Sequence, residues 1–171
     1  QHLMKQPSKF RSATQYPLEV FISVLRETTT EPALGDTPEA IAKYWRSAVE
    51  ATPDFRPDKE QCYAIYLNTR RRIVAHELVS VGVLDQVPVH PREVYRTAVV
   101  LNAAAVIILH NHPSGETTPS ESDIRVTREL IRAGMTLKIE LLDHVIVAAA
   151  PTVLPGHRGW TSLRALGYFH S

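Results

Sequence analysis

Apolar positions in this chain fall into short runs between polar and proline-marked breaks, and the spacing within each run predicts its element. Leu18 to Leu25 is rich in β-formers and predicts a strand at a sheet edge, behind a polar, poorly ordered extension over 1–17. Thr28 to Asp36 reads as a loop. Asp36 stands three residues before Glu39, a capping-box spacing, with Pro38 in the first turn; the helix should run through Trp45 to about Ala51. A proline-bearing loop from Thr52 to Lys59 follows. Cys62–Leu67 and Arg72–Val81 flank a polar turn at Asn68–Arg70, which predicts a hairpin. Pro91–Leu101 should form a helix with proline in a permitted first-turn position, and the apolar run 105–110 a buried strand. Ser120 and Asp123 have capping-box spacing, so a helix should start there, run to about Ala133 and stop at Gly134. Thr136–Leu142 and His144–Ala149 complete the strands. The last 20 residues look irregular, with a helical turn over Leu163–Leu166. This order of elements predicts one α/β domain over 18–171, a two- or three-layer sandwich with a mixed β-sheet.

The most informative segment is His110-Asn-His-Pro-Ser-Gly115 at the end of the apolar strand. Residues two apart on a strand face the same side, so His110 and His112 aim two imidazoles at one point while Asn111 faces away. Pro113, Ser114 and Gly115 then break the strand. Asp123 opens the next helix and can return to the same point as a third ligand. Two imidazoles and a carboxylate leave one tetrahedral position open on Zn²⁺, the pattern of a catalytic site and not of a closed structural one. Alone, a His-x-His pair more often lies on a surface or packs, and Asp123 also reads as a plain helix cap.

Composition narrows the classes. The chain has 171 residues, 44% of them hydrophobic, enough for one domain with a core. With 19 basic and 18 acidic residues the net charge is +1, which argues against a dedicated duplex-DNA binder. Cys62 is the single cysteine, so no internal disulfide forms, and a reducing, cytoplasmic location is expected. No apolar run reaches membrane-spanning length, and the first 17 residues do not resemble a signal peptide. The chain begins at Gln1, which suits a fragment boundary.

The spacing His110-x-His112, Ser120, Asp123 resembles the JAMM signature of the MPN+ metalloproteases. Val89-His-Pro-Arg-Glu93, Leu101-Asn-Ala-Ala-Ala105, His110–Gly115, Pro119-Ser120 and Leu141-Leu-Asp-His144 extend the likeness, and the chain resembles the RadC family over about Thr37 to Gly167. The helix-hairpin-helix segment of many RadC proteins has no match here, so the chain reads as a short, JAB-domain-only form. The resemblance implies a cytidine-deaminase-like JAB/MPN fold and a zinc hydrolase site that cleaves a peptide or isopeptide bond. It also implies a glutamate general base from a distant segment. Glu60, at the mouth of the strand Cys62–Leu67, is the first choice; Glu77 is second, and Glu93 is the third candidate. Ser120 is implied as a donor to the oxyanion, a role compatible with capping its helix. His144, in its Asp-His pair, reads as structural. His76, His90, His157 and His170 carry no signal, Arg70-Arg71-Arg72 reads as a solvated turn, and Cys62 packs.

A peptide or protein is the expected partner, with nucleic acid and membrane disfavoured. The rival classes are a non-catalytic MPN-type interaction module and a DNA-repair or recombination factor. The chain has no room near the motif for the insertions with which eukaryotic deubiquitinases grip ubiquitin.

Overall fold

The computed structural model describes residues 23–24, 33–82, 89–148 and 158–169. The expected extension over 1–17, His157 and His170 lie outside them. The elements are β1 (Ser23–Val24), α1 (Pro38–Tyr44), β2 (Glu60–Leu67), β3 (Ile73–Gly82), α2 (Pro91–Val100), β4 (Ala105–His112), α3 (Glu121–Leu137), β5 (Glu140–Ala148) and β6 (Trp160–Ser162). The strands form one six-stranded sheet in the order β1-β3-β2-β4-β5-β6. Among the described residues only β4 and β5 pair in parallel, and α3 makes the crossover between them, as parallel neighbours require. The sheet is therefore mixed and the fold α/β, as the resemblance implies.

Alternation along the central strands sends side chains to two cores. Tyr63, Ile65, Leu67, Ile107 and Leu109 pack with Ile41 and Trp45 of the α1 segment on one face. Cys62, Ala64, Tyr66, Val106 and Ile108 pack with Val94, Tyr95 and Leu130 of α2 and α3 on the other. Three layers result, with β2 and β4 buried almost throughout.

Several boundaries differ from expectation. The first helix is capped by Thr37, not Asp36: Pro38 occupies the first helical position, so the residue before it is the cap, and its Oγ1 accepts from Ala40 N at 3.1 Å. The helix then widens into a π-helical stretch over Trp45–Val49. Gly134 does not stop α3. The helix runs on to Leu137, and Lys138 supplies the left-handed cap at φ 58°. Gly134 is instead a contact point: a Cβ there would lie 2.4 Å from the Tyr95 hydroxyl and 2.4 Å from Ile139 O. Thr136 and Leu137 are accordingly helical, and the two expected strands are one, β5. Its central Asp143 is buried and fully bonded, Oδ1 accepting from His144 N and Arg164 N, and Oδ2 from the Ser162 hydroxyl. The tail is not irregular throughout, because Trp160–Ser162 pairs antiparallel with β5 and a turn follows from Leu163. Of the strand expected over Leu18–Leu25, the described pair Ser23–Val24 lies at the sheet edge against β3. The Arg70–Arg72 turn is held by Asn68 Oδ1, which accepts from the N–H groups of Arg70 and Arg72.

Candidate metal centre

Val106 and Ile108 on β4 face α2 and α3, so by period two His110 and His112 face that side as well. Glu60 opens β2 on the same face as Cys62 and Ala64. Asp123 stands in the first turn of α3. One donor atom from each of Glu60, His110, His112 and Asp123 lies within 4.8 Å of the other three. The two imidazole Nε2 atoms are 2.9 Å apart. Asp123 Oδ1 lies 3.4 Å from His110 Nε2, Asp123 Oδ2 3.8 Å from His112 Nε2, and Glu60 Oε1 3.8 Å from His110 Nε2.

These are not ion pairs at His110. Burial, with His144 and His112 beside it, holds the His110 imidazole well below its ordinary pKa, so the ring is neutral. His144 is pushed down to about 4, chiefly by burial.

The outer nitrogens of the two rings are engaged. His112 Nδ1 lies 2.6 Å from Glu116 O and donates its proton to that carbonyl, which leaves Nε2 as the nitrogen turned toward His110. His110 Nδ1 lies 2.8 Å from His144 Nε2. The two Nε2 atoms, 2.9 Å apart, can be bridged by a proton or by a metal cation. Metal–ligand bonds of ~2.1 Å give tetrahedral edges of ~3.3 Å, close to the separations found here. The donor set therefore fits a divalent ion with mixed imidazole and carboxylate ligands.

The surrounding chain explains the convergence. Gly115 takes φ 87°, a backbone that favours glycine, and turns the loop so that Glu116 O meets His112. Thr117 and Thr161 share a hydroxyl hydrogen bond of 2.7 Å, tying this loop to β6. The capping box of α3 is complete: Ser120 Oγ accepts from Asp123 N at 3.1 Å, and Asp123 Oδ2 accepts from Ser120 N at 2.7 Å and from its hydroxyl at 2.6 Å. Asp123 thus caps with Oδ2 and faces His110 with Oδ1. Asn111, wholly buried on the opposite face, accepts from Gln61 N and donates to Lys59 O, both at 2.9 Å. Those contacts bracket Glu60 and fix the start of β2 beside His110.

The other two glutamates are engaged elsewhere. Glu77 accepts from the Tyr66 hydroxyl at 2.9 Å and lies 3.7 Å from Arg96, which also meets exposed Glu93 at 3.5 Å. Cys62, opposite His110 in the ladder, is buried, and burial with Asp123 and Glu60 nearby pushes its thiol up. The group opens into a cleft of about 510 Å³ lined by Val89, Pro113, Ser120, Arg125 and Val126. Two residues carried more than the sequence showed. His90 is the N-cap of α2, its Nδ1 accepting from Arg92 N at 3.1 Å. Thr127, singled out by no local signal, joins Asp123 to His144. Among the described residues, no helix is long and apolar enough to cross a membrane.

Comparison with known proteins places this geometry. The family model for the RadC-like JAB domain matches residues 35–166. A UPF0758 protein of Desulforudis audaxviator is 44% identical over 112 residues, covering 66% of this chain and 45% of the relative. A UPF0758 protein of Methanococcoides burtonii is 43% identical over 110 residues, 64% of this chain and 44% of the relative. One from Finegoldia magna is 38% identical over 125 residues, 73% of this chain and 53% of the relative. The chain spans about half the length of these relatives. A match over residues 35–166, which include every member of the candidate centre, shows that the chain belongs to the RadC-like JAB domain family.

Proposed function

We propose that this domain is a zinc-dependent hydrolase acting on peptide or isopeptide bonds. The observation that carries the reading is the meeting of Glu60, His110, His112 and Asp123 in one cleft, with His112 Nε2 facing His110 Nε2 at 2.9 Å. Neutral imidazoles with a carboxylate suit Zn²⁺ by softness and charge. His110, His112 and Asp123 would hold the ion. Bound zinc supplies Lewis acidity, lowering the pKa of a coordinated water and polarising a carbonyl.

The chain's own groups supply the rest. Glu60 Oε1, on the His110 side of the cluster, takes a proton from the attacking water and delivers it to the leaving amine. The Ser120 hydroxyl stands at the helix start beside Asp123 and donates to the oxygen on which charge develops. Val89, Pro113 and Val126 give the cleft apolar walls that limit water. A peptide or protein is the substrate class this opening suits.

Metal analysis of the purified chain and of His112→Ala and Glu60→Gln tests the reading. The parent should hold one zinc per chain, His112→Ala should lose most of it, and Glu60→Gln should keep it. In a peptide-library screen, Glu60→Gln should cut amide hydrolysis by ~10²–10⁴. Stoichiometric zinc on His112→Ala overturns the ligand set. Zinc binding without cleavage of any amide would leave an interaction module.

A further inference from the structure

Behind His110 a chain of buried hydrogen bonds leads away from the cleft and returns to it. His110 Nδ1 lies 2.8 Å from His144 Nε2 on β5. His144 Nδ1 lies 2.7 Å from Thr127 Oγ1 on α3. Thr127 Oγ1 lies 2.6 Å from the carbonyl oxygen of Asp123, one turn earlier. His144 is 2% exposed and Thr127 fully buried, so water does not substitute for these partners.

The direction of each bond follows from donor inventory alone. The Asp123 carbonyl only accepts, so it takes the single hydroxyl proton of Thr127, the ordinary back-bond of a helical threonine. Thr127 Oγ1 can then only accept from His144, whose Nδ1 must carry a proton. Buried between a hydroxyl and an imidazole, with no carboxylate on either nitrogen, His144 is neutral. Its Nε2 is therefore an acceptor, and His110 Nδ1 must be the donor. The neutral His110 ring is left with Nε2 bare, the nitrogen that faces His112 and Asp123.

We infer that His144 and Thr127 are positioning residues of the metal centre, holding His110 in the tautomer and orientation in which Nε2 is free to ligate. The chain begins on one candidate ligand and ends on the backbone of another, so it also couples the His110 ring to the first turn of α3. The inference rests on the zinc reading above, but the tautomer it specifies exists without metal and is measurable there. Outer partners of ligating histidines typically change metal affinity by roughly 10–100-fold, and that is the effect expected here.

The test is ¹⁵N NMR of the histidine side chains in the metal-free full chain, with zinc affinity by competition with a chelating dye. The parent should show His110 protonated at Nδ1 and bare at Nε2. His144→Phe removes both nitrogens at similar size; it should mix the His110 tautomers and weaken zinc roughly 10–100-fold. Thr127→Val, nearly isosteric, should move both readouts the same way, and Thr127→Ser should restore both. If His144→Phe does not fold, the Thr127 pair decides. A merely structural role predicts lower unfolding midpoints with an unchanged His110 tautomer, and that result on Thr127→Val overturns the inference. If the parent binds no zinc but shows the specified tautomer, lost in Thr127→Val, the functional reading fails while the positioning chain stands.

Discussion

Asn111 sits between the two histidines and points the other way, and its removal offers a quantitative test of how the centre is held. Backbone pairing of β2 with β4 reaches only as far as Cys62 opposite His110. Beyond that pair the Asn111 side-chain amide acts as one more peptide unit, accepting from Gln61 N and donating to Lys59 O. The partners fix which amide atom is which, since an N–H needs oxygen and a carbonyl needs nitrogen. In Asn111→Ala the buried Gln61 N–H loses its acceptor, at ~1–3 kcal/mol for an unsatisfied buried group. Lys59 is only half-buried, so water replaces the lost donor and that bond costs ~0.5–1.5 kcal/mol. The sum is ~1.5–4.5 kcal/mol, a urea midpoint shift of ~0.7–2.3 M at an m-value near 2 kcal/mol per M. His110, His112 and Asp123 keep their side-chain partners, so folded Asn111→Ala should still bind one zinc. Glu60 loses both flanking anchors, and amide hydrolysis should drop by ~10², the penalty of a misplacement of about 1 Å. A midpoint shift below ~0.3 M would show that Asn111 is not the clamp argued here.

Gly134→Ala should destabilise by ~2 kcal/mol: overpacking against the Tyr95 hydroxyl, which is bonded to Leu130 O, and against the Ile139 carbonyl outweighs about 1 kcal/mol of helix propensity gained. Urea unfolding checks it, and an equally stable variant would mean that both Tyr95 and the Ile139 carbonyl move aside freely. Ser120→Ala should lose ~1 kcal/mol of cap energy and slow amide hydrolysis by ~10²–10³. Ser120→Gly, which costs a cap only a few tenths of a kcal/mol and has no side-chain donor, should keep most of the stability and not the rate; a kept rate would confine Ser120 to capping.

Alternation and capping made much of this domain legible. Period two along the run into His112 put both imidazoles on one face, and the Ser120–Asp123 spacing located the start of α3. What escaped was set by distant partners. Gly134 looks like a helix stop because glycine usually is one, yet here the missing Cβ admits Tyr95 from α2. Asp143 looks like a break in β5 because a carboxylate in mid-strand is expensive, yet Ser162 and Arg164 satisfy it from a segment 19 and 21 residues on. Glu60 could not be told from Glu77 or Glu93 by local pattern; the resemblance to MPN+ proteins singled it out, and the β3-β2-β4 order shows why it alone joins the cluster. The link from Thr127 to His144 crosses from α3 to β5 and leaves no periodic trace.

The capping box raises a physical question for the proposed role of Ser120, because its one hydroxyl proton is already given to Asp123 Oδ2. The capping bond itself does not use that proton. Asp123 N donates into a lone pair of Ser120 Oγ, and this is the contact that satisfies the helix N-terminus. Asp123 Oδ2 in turn keeps the Ser120 backbone N–H at 2.7 Å whatever the hydroxyl does. Rotating the O–H toward an oxyanion in the cleft therefore exchanges one charge-assisted hydrogen bond for another and leaves both halves of the box in place. Cap and oxyanion donor draw on different parts of one hydroxyl, lone pair and proton. That separation is why a glycine, which is tolerated at the cap and has no side-chain proton to give, distinguishes them.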